Sequence, residues 1–198
     1  MKKLLLQAFY LVNDALALPF AALLALVGRI DHPDHFQYYG DLLSGFPFIW
    51  GERVRKRFYQ WTLKSFGKDV CIGYGSSFLY RDAEVGNHVY IGRHCLIGKV
   101  KIADHVLIGS FIICASGRHQ HGFKRTDIPM YNQEGSLEQI LVGHNVWLGN
   151  HALVMANVGD HAIVGAAAVV IKDVPPFAVV AGNPAKILRY RTQEANAD

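Results

Sequence analysis

Apolar and polar positions repeat every six residues along two stretches of the chain, residues 70–113 and 140–175. Each phrase opens with an aliphatic residue and Gly, then runs through polar residues to a small apolar residue. Short internal periods of this kind are typical of stacked coils rather than of helices or alternating strands. The pattern predicts a triangular prism in which every sixth residue points inward and each phrase adds one short strand and one corner. The phrases open at Val85-Gly86, Ile91-Gly92, Ile97-Gly98, Ile108-Gly109, Val142-Gly143, Leu148-Gly149, Val158-Gly159 and Val164-Gly165.

The repeat has two irregularities. Residues 114–139 contain no six-residue phrase, which predicts a long loop extruded from the prism, and loops of this length are usually functional or disordered. The step from Val154 to Val158 is only four residues, which predicts a locally pinched coil. Four to five coils are expected in total.

Residues 1–66 follow a different pattern and predict a helical N-terminal region. Residues 1–28 are mostly apolar after Met-Lys-Lys, but Asn13, Asp14 and Pro19 divide the run into two pieces, each shorter than the roughly 20 residues of a membrane span. We favour a helix or helical hairpin lying in one membrane leaflet. A helix packed in the core or in an oligomer is an alternative. Two further alternatives are a helix that spans the membrane and a signal peptide, for which Ala15-Leu16-Ala17 resembles a cleavage site.

Residues 50–66 predict an amphipathic helix with a basic face and an aromatic face. Such a helix suits an anionic membrane interface, and equally a cap on the repeat domain with a solvated basic face. The basic face carries Arg53, Lys56, Arg57, Gln60 and Lys64, and the opposite face Val54, Phe58, Trp61 and Thr62.

Composition narrows the class of protein. The 198 residues are 51% hydrophobic and only 18% charged, with a net charge of +4, which favours a large partner or membrane surface and anionic ligands. The basic residues are not interleaved with aromatic ones across a sheet, so we expect no nucleic-acid partner. The three cysteines form no disulfide or zinc spacing, and Cys95 falls at a small-apolar position of its phrase, which indicates a buried thiol and a reducing compartment.

The histidines divide into two groups by their position in the repeat. Five occupy the fourth place of a phrase, where corner residues are expected: His88, His94, His105, His151 and His161. His144 lies one place earlier, also on the outside, and His32 and His35 frame a turn. His119 and His121 instead lie in the loop. Imidazole titrates near neutral pH, so either one suits a general base that removes a proton from an attacking hydroxyl.

The repeats, together with the phrases "VVIKDVPP" and "AGNPAKILR", resemble the hexapeptide-repeat acyltransferases, and more closely those that O-acetylate bacterial surface polysaccharides. The resemblance implies a mainly β fold: a left-handed parallel β-helix with a helical N-terminal region and a short C-terminal helix. The expected domains are residues 1–66, which are helical and membrane-associating, residues 67–191, which form the acyltransferase domain with loop 114–139, and a tail of residues 192–198.

The same resemblance implies a site. It assigns the general base to His119, with His121 second. Asp127 and Glu134 are the loop carboxylates that could orient the imidazole, and their spacing does not choose between them. The resemblance places Trp147 and Asn150 beside the thioester of acetyl-CoA, with the Asn150 backbone N–H as an oxyanion donor. It places Ala166 and Ala167 along the pantetheine arm, and Lys172, Lys186 and Arg189 near the phosphates, with no metal.

The expected function is acetyl transfer from acetyl-CoA to a sugar hydroxyl of a glycan, such as a lipid-linked precursor. The protein would be a homotrimer with its sites between protomers, cytoplasmic and peripheral on the inner face of the plasma membrane. Three alternatives remain at this point: a zinc enzyme resembling the γ-class carbonic anhydrases, an N-acetyltransferase of an amino sugar, and a non-catalytic scaffold at a membrane surface.

Overall fold

A computed structural model gives the fold of residues 2–30 and 35–191. The described residues form three α-helices, α1 (Lys2–Ile30), α2 (Phe36–Ser44) and α3 (Phe48–Thr62), followed by sixteen short strands. The strands before the loop are β1 (Ser65–Phe66), β2 (Cys71–Ile72), β3 (Ser77–Phe78), β4 (Glu84–Val85), β5 (Tyr90–Ile91), β6 (Leu96–Ile97), β7 (Val100–Ile102), β8 (Leu107–Ile108) and β9 (Ile113–Cys114). Those after it are β10 (Ile140–Val142), β11 (Trp147–Leu148), β12 (Leu153–Val154), β13 (Ile163–Val164), β14 (Val169–Val170), β15 (Ala178–Ala181) and β16 (Lys186–Tyr190).

The strands stack into three sheets that form the faces of a prism, as the six-residue period predicts. Sheet I has the order β1-β4-β7-β10, sheet II β2-β5-β8-β11-β13-β15-β16, and sheet III β3-β6-β9-β12-β14. Bridges from Val142 to Val158 and from Val158 to Val174 extend sheet I, so the solenoid has about six coils. This is more than the four to five expected, because the first and last coils, in which some steps differ from six residues, still pair with their neighbours.

The inward positions are those that the repeat predicts. All eight aliphatic residues that open a phrase are buried, from Val85 at 2% exposure to Val164 at 0%. The small residues of the phrases are buried too, and Cys95 among them is 1% exposed. The prism core is therefore a stack of aliphatic layers closed at the corners by small side chains.

The five histidines assigned to corners do lie at corners. Their φ angles fall between 54° and 62°, in the left-handed region that most side chains avoid. Their rings stack along the outside of the solenoid, with His88 4.8 Å from His105 and His94 5.1 Å from Phe111, which in turn lies 4.7 Å from His151. These rings belong to the scaffold.

The coils differ in length at one corner only, the one that leads from sheet III to sheet I. Phe66 pairs with Val85 nineteen residues later, Val85 with Ile102 seventeen later, and Val142 with Val158 sixteen later. The short step at 154–158 recurs from Val170 to Val174, and pairing continues through both. The four-residue step is thus a regular feature of the last coils, and the loop leaves the solenoid at this same corner.

The first helix is continuous through Asn13, Asp14 and Pro19, so of the two expected forms the chain adopts the single helix and not the helical hairpin. Pro19 removes one N–H from the helix but is accommodated, because α1 packs along α3 through buried Ala17, Ala21 and Ala25. The Asn13 side chain bonds back to the Phe9 carbonyl (2.8 Å), so it does not interrupt the helix.

The third helix caps the first coil. It ends at Thr62, so Lys64 lies beyond it, and Val54, Phe58 and Tyr59 are buried. Arg55 is also buried, and its guanidinium donates to the carbonyls of Leu43 (3.2 Å), Phe46 (2.8 Å) and Ile72 (3.3 Å). One side chain thereby ties α2, the turn before α3 and the first coil together.

The expected short C-terminal helix is absent from the described residues, which end at Arg191. Gly182, with a φ of 96°, and Pro184 reverse the chain, and Lys186–Tyr190 pairs antiparallel with β15. Strand β16 thereby satisfies backbone groups at the last edge of sheet II, which a helix would leave open. The predicted tail of residues 192–198 lies outside the described residues.

The corner conformation can be tested at His105, whose φ is 60°. His105→Val and His105→Asn both remove the ring, so they differ mainly in tolerance of left-handed backbone. We expect the Val variant to have a free energy of unfolding about 1–2 kcal/mol below that of the Asn variant, measured by urea denaturation. Equal stabilities would contradict the assignment of a strained corner.

Candidate active site

The loop that interrupts the repeat is closed at its base by two backbone hydrogen bonds. Glu138 N donates to the Ser116 carbonyl (3.0 Å), and Ser136 N donates to the His119 carbonyl (2.7 Å). The buried Ser116 hydroxyl accepts from Lys99 N (2.9 Å), which fixes this neck to the coil below. Residues at the neck are therefore tied by hydrogen bonds to the solenoid, although they belong to a loop.

His119 lies in this neck beside a carboxylate. Its Nδ1 is 3.4 Å from Glu138 Oε1, and both side chains are about half exposed (54% and 56%). A carboxylate on one ring nitrogen fixes the orientation of an imidazole and leaves the other nitrogen free to exchange a proton. His119 thus has the arrangement of an oriented base.

The carboxylate beside His119 is not one of the two expected ones. Asp127 forms an ion pair with Arg125, whose guanidinium lowers the pKa of that carboxyl. Glu134 lines the cavity of the loop, but its carboxylate makes no ion pair with His119. The sequence did not indicate Glu138, because this residue lies nineteen residues after His119 and approaches the imidazole only when the neck closes. Its position just before the repeat resumes at Ile140 was the available signal.

Above the neck, the loop encloses a cavity of about 710 Å³. His119 and His121 both line it, together with Lys124, Arg125 and Glu134. The Gln133 side chain braces the loop, because its amide donates to the carbonyls of Arg125 (2.7 Å) and Ile128 (3.2 Å). The two candidate bases therefore face one volume large enough for a sugar-sized molecule.

Four of the expected coenzyme residues lie at a different corner, the one between sheets II and III. Asn150, Ala166 and Ala167 are exposed there, and the Ala167 N–H donates to the Asn150 carbonyl (2.8 Å) one coil below. The Asn150 amide side chain accepts from Ser110 N (2.8 Å), while its backbone N–H donates no hydrogen bond within the described part of the chain. Lys186 follows Ala185, whose N–H bonds to Val169 one coil below, so Lys186 lies near the same corner.

The remaining expected residues are dispersed. Trp147 points outward from sheet II with 49% of its side chain exposed. Arg189 lies on β16 opposite Val179, and Lys172 lies at the corner from which the loop leaves. Within one chain, the loop histidines therefore lie on one edge of sheet III, and Asn150 and the two alanines lie on the other. Within the described residues, no group of three or more His, Cys, Asp and Glu is arranged to hold a metal.

Comparison with known proteins shows which proteins the chain resembles. No protein-family model matches the sequence. It is 32% identical over 116 residues to the galactoside O-acetyltransferase of Escherichia coli strain K12, covering 52% of this chain and 55% of that protein. It is 27% identical over 156 residues to an acetyltransferase of the same strain named for colanic acid biosynthesis, covering 74% of this chain and 82% of that one. The chain is therefore similar in sequence to hexapeptide-repeat acetyltransferases. It spans only about half the length of several of the curated relatives it matches.

Solved structures support the fold of this hexapeptide-repeat protein. A maltose O-acetyltransferase from Clostridium difficile 630 has a TM-score of 0.71 at 20% identity, covering 81% of this chain and 87% of that one. A galactoside acetyltransferase in complex with coenzyme A has a TM-score of 0.62 at 22% identity, covering 89% and 82%. The predicted left-handed β-helix is thus confirmed.

The neck of the loop depends on Gly117, which this hexapeptide-repeat protein holds at a φ of 82°. A Cβ at this position would lie 2.8 Å from the Cβ of Glu138. We expect Gly117→Ala to open the neck at a cost of about 1–3 kcal/mol, and so to raise the rate of tryptic cleavage at Lys124 or Arg125 about tenfold. Gly45→Ala is the matched control, because its Cβ would meet only the Leu42 carbonyl at 3.7 Å. A Gly117 variant cleaved no faster than this control would contradict the role of the neck.

Proposed function

We propose that the protein transfers an acetyl group from acetyl-CoA to a hydroxyl of a sugar in a glycan or a lipid-linked precursor. The observation that carries this proposal is the His119–Glu138 pair, held at 3.4 Å in the neck of a loop that rises from a rigid solenoid. The relatives named for galactoside O-acetylation and colanic acid biosynthesis support a sugar acceptor. The cavity that faces His119 has the volume to hold one.

In the proposed reaction, His119 removes the proton of the acceptor hydroxyl as the oxygen attacks the thioester carbonyl carbon. The Asn150 N–H stabilises the oxyanion that forms on the carbonyl oxygen. Collapse of this intermediate breaks the carbon–sulfur bond, and His119 returns the proton to the thiolate. The products are the acetylated sugar and free coenzyme A. Glu138 holds the imidazole and favours the imidazolium that exists between the two proton transfers.

We propose that the active site is shared between chains of a homotrimer. The loop histidines and the Asn150 corner lie on different edges of sheet III, and a neighbouring copy packed against a prism face brings one edge to the other. Outward apolar side chains on sheets II and III, such as Tyr90, Leu107 and Ile113, support such packing. In this arrangement Trp147, Asn150, Ala166 and Ala167 border the acetyl and pantetheine groups, and Lys172, Lys186 and Arg189 supply cations for the phosphates.

We also propose that α1 lies in the plane of a membrane surface, on the cytoplasmic side. Residues Leu4–Gly28 form a helix that is long and apolar enough to span a bilayer. However, Asp14 in this helix pairs with Arg53 of α3 (3.6 Å), and α3 packs alongside α1 with its other cations. A spanning orientation would place these charges in hydrocarbon, whereas an in-plane orientation keeps them among headgroups. The three unpaired cysteines suit a reducing cytoplasm.

The base assignment predicts that His119→Ala lowers kcat about 10²–10⁴-fold, with little change in the KM for acetyl-CoA, because only proton transfer is lost. His121→Ala should change kcat by no more than a few-fold. Release of free thiol from acetyl-CoA in the presence of a sugar acceptor measures both. Unchanged turnover in the two variants would contradict the assignment.

Glu138 is expected to act by positioning the imidazole. Glu138→Gln should lower kcat about tenfold, or about 1.4 kcal/mol in activation free energy, with KM unchanged, and Glu138→Asp should recover part of the loss. Asp127→Asn is the matched control, since that loop carboxylate pairs with Arg125. Equal effects of the Glu138 and Asp127 variants would exclude a specific positioning role.

A shared site predicts complementation between two inactive variants. His119→Ala removes the base, and Ala166→Tyr fills the corner proposed for the pantetheine arm, where Ala166 is exposed. Chains of both kinds, refolded together, should recover about a quarter of the wild-type sites if trimers assemble at random. Mixtures as inactive as their parents would place the site within one chain, and light scattering should show the trimer mass.

A further inference from the structure

A second cleft, with a volume of about 600 Å³, lies between α1, α3 and the first coils. None of its lining residues belongs to the loop cavity. Four cations and two carboxylates line it: Arg53, Lys56, Arg57 and Lys68, with Asp14 and Asp69.

In the part of the chain that the structure describes, only one of the four cations of the cleft pairs with a carboxylate of the cleft. Asp14 pairs with Arg53 at 3.6 Å, and Asp69 lies 3.4 Å from His88 outside the cleft. Within the described residues, Lys56, Arg57 and Lys68 form no ion pair. Three positive charges that converge in a concave space favour an anion with several acceptor oxygens.

Arg53 is held in place at the wall of the cleft. Its guanidinium lies 4.8 Å from the centre of the Tyr10 ring on α1. Its Nε is buried and has no acceptor among the described residues. These contacts hold the guanidinium at the wall of the cleft, where its charge adds to that of the three lysine and arginine side chains that have no carboxylate partner in the described part of the chain.

We propose that this cleft binds the phosphate of an anionic phospholipid headgroup in the membrane on which α1 lies, an inference that rests on the proposed membrane attachment. Leu11 and Leu18, which lie three residues before and four residues after Asp14 on the same side of α1, are exposed by 69% and 38%. An anionic lipid covers both features at once, since its phosphate meets the cations and its acyl region meets these side chains. A soluble phosphate would leave the apolar flank in water.

The test compares vesicle binding by the full chain and two triple variants. The cleft variant carries Lys56→Gln, Arg57→Gln and Lys68→Gln. The matched control carries Arg93→Gln, Lys99→Gln and Lys101→Gln, which removes the same charge from outside the cleft. Vesicles are pure phosphatidylcholine, or phosphatidylcholine with about a third phosphatidylglycerol. We expect the cleft variant to bind the anionic vesicles about a hundredfold more weakly than wild type, and the control to bind within a few-fold of it.

Three results would overturn the proposal: equal losses in both triple variants, unchanged binding by the cleft variant, or binding abolished by excess inorganic phosphate at constant ionic strength. The last would make the cleft a site for free phosphate. Turnover with a soluble sugar acceptor, which the cleft variant should retain, is measured separately. If the transferase proposal is wrong, the wild type and both triple variants will show no turnover in that assay. If only the lipid site is wrong, turnover will be normal and the vesicle binding alone will differ from the expectation.

Discussion

Parallel backbone pairing between successive coils is the constraint on which the rest of the structure depends. Each coil must present strands in register with its neighbours, so two corners keep their six-residue steps and the third absorbs every difference in length. Successive coils shorten from nineteen residues to sixteen there, and the loop leaves there, without loss of pairing. A long insertion can therefore carry chemistry without loosening the scaffold, because its base is bonded directly to regular coils.

One residue type serves two purposes, which the backbone separates. Five histidines occupy left-handed corners, where a polar ring is tolerated and stacks on the ring of the next coil. His119 instead lies where the backbone has left the coil and a carboxylate approaches the imidazole. The repeat is thus informative about function mainly through the histidines that it does not explain.

The sequence predicted features that recur at a fixed spacing, namely the inward layers, the corner histidines and the extruded loop. It failed where two distant segments must meet. Glu138 reaches His119 only through the closed neck, and Arg55 is buried by carbonyls on three separate elements. Pro19 is accommodated because α3 supports α1, and β16 forms because the last coil offers an open edge. None of these contacts has a period, so no pattern along the chain indicates them.

The exposed face of α1 follows from how the first coil is covered. Phe58, Tyr59 and Arg55 of α3 already cap that coil, and the Tyr59 hydroxyl accepts from Phe78 N (3.1 Å). The first helix packs against this region through its buried alanines and through Phe20 and Leu24, which leaves large leucines such as Leu4, Leu5 and Leu11 in solvent. Since these side chains add nothing to the core, burying them requires something outside the chain. In the proposed membrane attachment, the charges beside the middle of α1 favour the in-plane orientation, because it keeps them among headgroups while the apolar side of the helix meets hydrocarbon.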